Sequence, residues 1–265
     1  MPRATVEESV ELYYELHGQG NPVIFINGLT SSLESWSYQI AAFRKRYRIL
    51  AYDCRGQGRS DKPAAGYTGQ HLTSDLLALT SHLNLGRSHI IGHSFGGYIA
   101  LNYAIDYPEN VRSVVISDTT SEAHPLIEKI LRSWVDAQEY GGLDLRFDIS
   151  LPWLYAESFI DGNPRKIKLF KEAFRKNDLN ALKGLTLESL ENDATPRLSK
   201  IKAPVLLVLG DEDILTPYRY TRKLLDQIPH ASFSMIKGCG HVPPIEKHRE
   251  FNRLVFDFLN KHDAL

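Results

Sequence analysis

Short, nearly continuous apolar runs recur at residues 23–26, 48–52, 88–92, 111–117, 204–209 and 232–236. Runs of this length, bounded by turn residues, predict strands buried on both faces, as in a parallel sheet. Residues 10–16 alternate only partly and are rich in Tyr and Leu, which suits an edge strand. Helical patterns lie between the runs, at 33–46, 68–84, 95–107, 218–228 and 246–262. Leu72, Leu76, Leu79 and Leu83 recur every three or four residues and so share one helix face. Strand and helix alternate with short loops, which predicts an α/β fold built on a mostly parallel, doubly wound sheet.

The alternation stops between 125 and 195. Here Leu126, Ile130, Trp134, Trp153, Leu154, Phe159, Phe170, Phe174, Leu182, Leu185 and Leu190 fall in helix-like segments without a strand-like run. Gly141-Gly142 and Asp161-Gly162-Asn163-Pro164 punctuate them. The expected organisation is a core domain of residues 1–124 and 196–265, interrupted by a helical cap at 125–195. The basic stretch 165–176 reads as a solvated helix face with Ile167, Phe170 and Phe174 turned inward.

Charge narrows the function. The 31 Lys and Arg against 32 Asp and Glu leave a net charge of −1, which argues against nucleic acid as a partner. Cys54 and Cys239 are too few for a disulfide framework or a structural zinc site. No apolar run approaches the roughly 20 residues that cross a bilayer, and the acidic N-terminus does not read as a signal peptide. A cytoplasmic protein without membrane partners, either monomer or homodimer, is expected.

Gly92-His93-Ser94-Phe95-Gly96 fits G-x-S-x-G, directly after an apolar strand and directly before a helix. That strand–turn–helix context is what a nucleophile elbow requires. Larger side chains two positions either side of Ser94 would clash, so glycines hold its hydroxyl out near the positive end of the helix. A serine needs a base. Of the ten histidines, His241 stands in a loop, Gly238-Cys239-Gly240-His241-Val242-Pro243-Pro244, on the same sheet edge as Ser94. His93 is its main rival, but neighbours in sequence rarely reach base geometry. The orienting carboxylate belongs to the loop after the strand at 204–209, with Asp213 preferred and Asp211 or Glu212 needed if the loop is shorter. Backbone N–H groups of Phe95 and Leu29 are the candidate oxyanion hole, and Gly28 lets the backbone approach the substrate.

Taken together, these segments resemble the α/β-hydrolase superfamily over nearly the whole chain. Asp53-Cys54-Arg55-Gly56-Gln57-Gly58-Arg59-Ser60-Asp61 resembles that family's D-x-R-G-x-G-x-S-D turn. Residues 210–217 resemble its acid loop, and Gly240-His241 with Glu246 its histidine loop. The order Ser94, Asp213, His241 is the one expected there. Asn27 departs from the pattern, since most relatives have His before the oxyanion-hole glycine, and this bears on polarity near the acyl oxygen. The segment from Asn27-Gly28-Leu29 to Trp36-Ser37-Tyr38-Gln39 resembles esterase, perhydrolase and 3-oxoadipate enol-lactonase-like members. Leu151-Pro152-Trp153-Leu154-Tyr155 resembles the enol-lactonase-like members.

The resemblance implies an α/β-hydrolase fold and a serine hydrolase acting on small to medium, largely apolar carboxylic esters or lactones, without metal or organic cofactor. Gly28, Trp36, Trp134, Trp153, Leu154 and Phe159 are the expected pocket residues. Other readings are C–C bond hydrolysis of aromatic degradation, cofactor-free perhydrolysis or haloperoxidation, and a small-molecule receptor with slow turnover.

Overall fold

Each of the six apolar runs becomes a strand of one sheet in the computed structural model, which describes residues 2–191 and 193–263. The strands are β1 (Arg3–Thr5), β2 (Glu11–His17), β3 (Pro22–Ile26), β4 (Arg48–Tyr52), β5 (Ser88–His93), β6 (Val111–Ser117), β7 (Val205–Gly210) and β8 (Ala231–Ile236). They lie in the order β1-β2-β4-β3-β5-β6-β7-β8. β3 through β8 run parallel, and β1 and β2 are antiparallel additions at one end. The strand at 10–16 is therefore not the edge. β1 pairs with it from Arg3↔Tyr13 to Thr5↔Glu11, and three residues are too few to carry an apolar pattern.

The helices are α1 (Ser37–Phe43), α2 (Gly69–His82), α3 (Phe95–Asp106), α4 (Pro125–Leu154), α5 (Glu157–Gly162), α6 (Pro164–Phe174), α7 (Leu179–Glu188), α8 (Tyr218–Gln227), α9 (Pro243–Glu246) and α10 (His248–His262). The period-two pleat divides each central strand between two apolar layers. Val23 and Phe25 of β3 join Phe43 of α1 and Phe251 and Val255 of α10 on one face. Ile24 and Ile26 join Leu72, Leu76 and Leu79 of α2 and Ile99 of α3 on the other. Burying such side chains stabilises the fold by about 1.5–3 kcal/mol each, more than the about 0–1 kcal/mol of an exposed ion pair.

Between β6 and β7 the described elements are helical, α4 to α7 and a short turn of helix at Thr195–Lys200. Gly142 (φ 66°, ψ −160°) kinks α4 where the paired glycines stand. Buried Arg146 donates to Gln138 Oε1 at 2.6 Å and to Thr186 Oγ1 at 2.7 Å, tying α4 to α7. On α6, Phe174 is buried and Ile167 and Phe170 half-buried, while Lys171 and the neighbouring Arg175 pair with Asp148 and Asp144. The base of the segment closes through the Glu122↔Asp193 bridge and the bond from Ala194 N–H to Ser121 C=O at 2.8 Å.

One buried group predicts an acid sensitivity. His89 on β5 is fully buried, with Nδ1 2.7 Å from Ser113 Oγ and Nε2 3.2 Å from Asp263 Oδ1. Burial pushes its pKa down to about 4. Above the unfolded value both states are neutral. As pH falls below it, the unfolded chain takes up a proton that the folded one refuses, costing about 1.4 kcal/mol per pH unit. His89→Gln removes this contribution. In urea titrations, the stability advantage of wild type over the variant should shrink by roughly 3 kcal/mol between pH 7 and pH 4. A constant difference would show that His89 does not titrate there.

Candidate active site

The strand order reverses at β3 and β5, and the loops leaving their C-terminal ends face each other across the resulting crevice. Ser94 is the single residue between β5 and α3, and its backbone is left-handed (φ 53°, ψ −117°). Such a conformation costs about 1–3 kcal/mol for a non-glycine residue and persists only under external restraint. The restraints are specific. Ser94 N–H donates to Ser117 C=O at 2.8 Å, and Thr119 Oγ1 donates to Ser94 C=O at 2.7 Å. A Cβ on Gly92 would lie 2.2 Å from Gly96 O, and one on Gly96 2.2 Å from Ile26 O.

Ser94 Oγ lies 2.8 Å from His241 Nε2, and His241 Nδ1 lies 2.9 Å from Asp213 Oδ2. With Nδ1–H donating to the carboxylate, Nε2 has its lone pair free for the serine proton. Asp213 also accepts from the N–H of Leu215 and of Thr216, both at 2.9 Å, and from Thr216 Oγ1 at 2.5 Å. Burial alone would raise its pKa, but His241 and these donors hold it below the ordinary value. Asp211 and Glu212 are exposed; Asp211 pairs instead with Lys237. His93 meets the loop of His241 rather than Ser94, its Nε2–H donating to the His241 carbonyl at 2.7 Å. Burial, helped by His241, lowers its pKa to about 3, so it is neutral in ordinary buffers.

Leu29 and Phe95 both face the cavity beside Ser94. The loop carrying Leu29 is held from behind by Gln57, whose Nε2 donates to the carbonyls of Gly28 at 2.8 Å and Leu29 at 3.0 Å. Asn27 is fully buried and points away from the cavity's lining. Its amide donates to Tyr52 C=O at 2.9 Å and to Gln57 Oε1 at 3.4 Å. Asn27 therefore acts on the loop's support and is not part of the cavity wall.

Of the expected pocket residues, Gly28, Trp36, Trp134 and Leu154 line the cavity, and Trp153 and Phe159 do not. Trp153 precedes Leu154 on α4, and one residue is about a 100° turn, so the two cannot face the same way. Trp153 packs half-buried against the core. Phe159 lies one layer back, stacked at 5.2 Å on Tyr155, which does line the cavity. Tyr98, Ile127, Leu131, Leu215 and Ile245 complete the apolar wall and were not anticipated. They come from α3, α4, the loop after β7 and α9, and periodicity marks only that each is buried somewhere.

The alpha/beta hydrolase fold family matches residues 21–248. The chain belongs to that family. It is a hydrolase. This alpha/beta hydrolase is 26% identical over 250 residues to 3-oxoadipate enol-lactonase 2 of Acinetobacter baylyi, covering 94% of this chain and 92% of that protein. It is 27% identical over 268 residues to RutD of Caulobacter vibrioides, a protein named as a proposed carbamate hydrolase, covering 98% and 99% of the two chains. The crystal structure of the enol-lactonase from Burkholderia xenovorans LB400 superposes with a TM-score of 0.92 at 26% identity, over 98% of this chain and all of that one (100%).

In this hydrolase the turn at 53–61 is scaffolding for the site. Asp53 accepts from Leu33 N–H at 2.7 Å and Arg59 N–H at 2.8 Å, and Arg55 pairs with buried Asp75 at 2.6 Å. Glu246 accepts from the N–H groups of Ala156 (3.0 Å), Gly240 (3.2 Å) and Val242 (3.1 Å), joining the end of α4 to the histidine loop. His241 N–H donates to Leu154 C=O at 3.0 Å across the same seam. Cys54 and Cys239 are buried, and burial raises both thiol pKa values, that of Cys54 to about 12. Neither is a reactive thiol. Among the described residues one cluster has metal-ligand composition, Asp118, Asp213 and His241, with ligand atoms within 4.8 Å of one another. Asp213 and His241 are already committed to each other and to Ser94. Asp118 went unread in the sequence, although an Asp directly after a buried apolar strand was a visible signal. No helix among the described residues is long and apolar enough to cross a membrane.

Proposed function

We propose that this alpha/beta hydrolase cleaves carboxylic esters or lactones of small to medium, largely apolar and uncharged substrates through an acyl-enzyme on Ser94. The unbroken hydrogen-bonded line from Ser94 Oγ through His241 to Asp213, opening onto an apolar cavity, carries this reading. Ser94 attacks the carbonyl as His241 Nε2 takes its proton, and Asp213 holds the imidazole in the required tautomer. The N–H groups of Leu29 and Phe95 receive the developing oxyanion. His241 returns the proton to the leaving alkoxide, then activates the water that releases the acid. In a lactone the leaving alkoxide remains attached, and one hydroxy acid results.

The segment of α4 to α7 acts as a cap; α4 supplies Ile127, Leu131, Trp134 and Leu154 to the cavity, and Tyr155 follows at its end. The described lining residues include Asp118 and Glu122 but neither Lys nor Arg. A substrate carboxylate would therefore be desolvated without a cationic partner. The two curated relatives support hydrolysis at a carbonyl, one named for a lactone and the other for a carbamate. The deciding experiment is a panel of p-nitrophenyl esters of increasing chain length, neutral lactones, carbamates and carboxylate-bearing counterparts. Neutral esters or lactones should lead, with carboxylate-bearing analogues at least about 100-fold lower in kcat/KM. Faster cleavage of a vinylogous diketone, or faster peracid formation from acetate and hydrogen peroxide, would replace this reading.

A further inference from the structure

Behind the triad two buried carboxyl groups meet. Asp118 directly follows β6, Asp213 follows β7, and these strands are neighbours in the sheet. One oxygen of each side chain lies within 4.8 Å of the other and of a His241 ring nitrogen. Asp118 is 1% exposed and Asp213 4%. Two carboxylates buried this close disfavour each other's charge, and a hydrogen bond between them requires that one keep a proton.

Their neighbours decide which one keeps the proton. Asp213 accepts from two backbone amides, the Thr216 hydroxyl and His241 Nδ1–H, all of which favour its charge. Among the described residues Asp118 accepts from Gly210 N–H at 2.9 Å and Ser117 Oγ at 2.5 Å. The titratable groups facing it are Asp213, His241 beyond it, and the Cys239 thiol. Burial first, and Asp213 next, hold its pKa well above the ordinary carboxylate range. Its backbone is also left-handed (φ 51°) and is pinned by its N–H on Val208 C=O at 3.0 Å, so the side chain is aimed by the sheet.

We propose that Asp118 is a positioning residue that keeps a proton, donates it in a hydrogen bond to Asp213, and becomes the carboxylate partner of His241 when Asp213 is neutralised. The triad then carries one negative charge spread over two carboxyl groups, and no atom is gained or lost at Asp118 during turnover. The kinetic arm rests on Ser94 being the nucleophile; the spectroscopic arm does not.

An infrared difference spectrum of wild type minus Asp118→Asn at neutral pH should show the carbonyl stretch of a protonated carboxyl, shifted in D2O. Its absence would overturn the proposal. Labelling of Ser94 by a fluorophosphonate probe supplies the second readout. Asp118→Ala should slow labelling about tenfold, and Asp118→Asn, whose amide donates in place of the acid, should restore most of the rate. Asp213→Asn should keep at least about tenfold more reactivity than Asp213→Asn/Asp118→Asn, and the single variant should gain more rate with rising pH than the double, as Asp118 ionises. Equal rates with the same pH dependence in these two variants would overturn the reserve role. Absence of labelling in wild type would instead remove the proposed nucleophile, and the infrared band would still decide where the proton sits.

Discussion

Ser94→Ala should lower kcat/KM on p-nitrophenyl esters by at least about 10⁴-fold while leaving the circular dichroism spectrum unchanged. The hydroxyl 2.8 Å from His241 Nε2 is the only atom lost, and the turn that carries it is fixed by the Ser117 carbonyl, Thr119 and the two elbow glycines. What remains is the modest rate that oriented donors and binding give without a nucleophile. Ser94→Gly should be equally inactive, and because glycine accepts φ 53°, it should unfold at higher denaturant, with a gain of about 1 kcal/mol. Wild-type turnover by Ser94→Ala would remove Ser94 from the chemistry. An alanine variant that is inactive and also unfolded would be uninformative alone, which is why the glycine variant belongs beside it.

Gly96→Ala is expected to lower stability sharply. Its Cβ would sit 2.2 Å from Ile26 O and 2.6 Å from Asn27 O, backbone atoms at the end of a central strand. Neither can withdraw without moving β3 or α3. The loss should exceed about 3 kcal/mol, and Tm should fall by roughly 6–12 °C in calorimetry. Activity should fall further than stability alone accounts for, since Asn27 leads into the loop bearing Leu29. Gly162→Ala is the control: its Cβ would meet open space, and it should melt within about 2 °C of wild type. If Gly96→Ala melted with that control, close packing of α3 on β3 would not be what the glycine serves.

Much of this was legible along the chain, for physical reasons that differ by element. Buried parallel strands have no polar face, so residues 23–26 or 111–117 announce themselves as apolar runs. The elbow was legible because its sterics are local: a left-handed serine between a strand and a helix demands glycines at fixed offsets, and Gly92 and Gly96 stand there. β1 was not legible, because three residues hold too little pattern and are fixed by pairing with β2. The pocket was half legible. Trp134 and Leu154 reach the cavity while Trp153 and Phe159 do not, and that depends on how α4 is rotated and kinked at Gly142.

By itself the sequence determined the six apolar strands of the sheet, the strand–turn–helix that holds Ser94 and the loop that carries His241, since each follows from residues adjacent in the chain. Only the tertiary structure decided which acidic residue meets that histidine. Asp211, Glu212 and Asp213 share one loop, and Asp118 sits in another, far away in sequence. Parallel pairing of β6 with β7 brings Asp118 against Asp213, and the turn after β7 aims Asp213 at His241 while Asp211 faces Lys237. A carboxylate's role is set by the donors and charges within a few ångströms of it, and folding assembles those neighbours from loops that are distant in the chain.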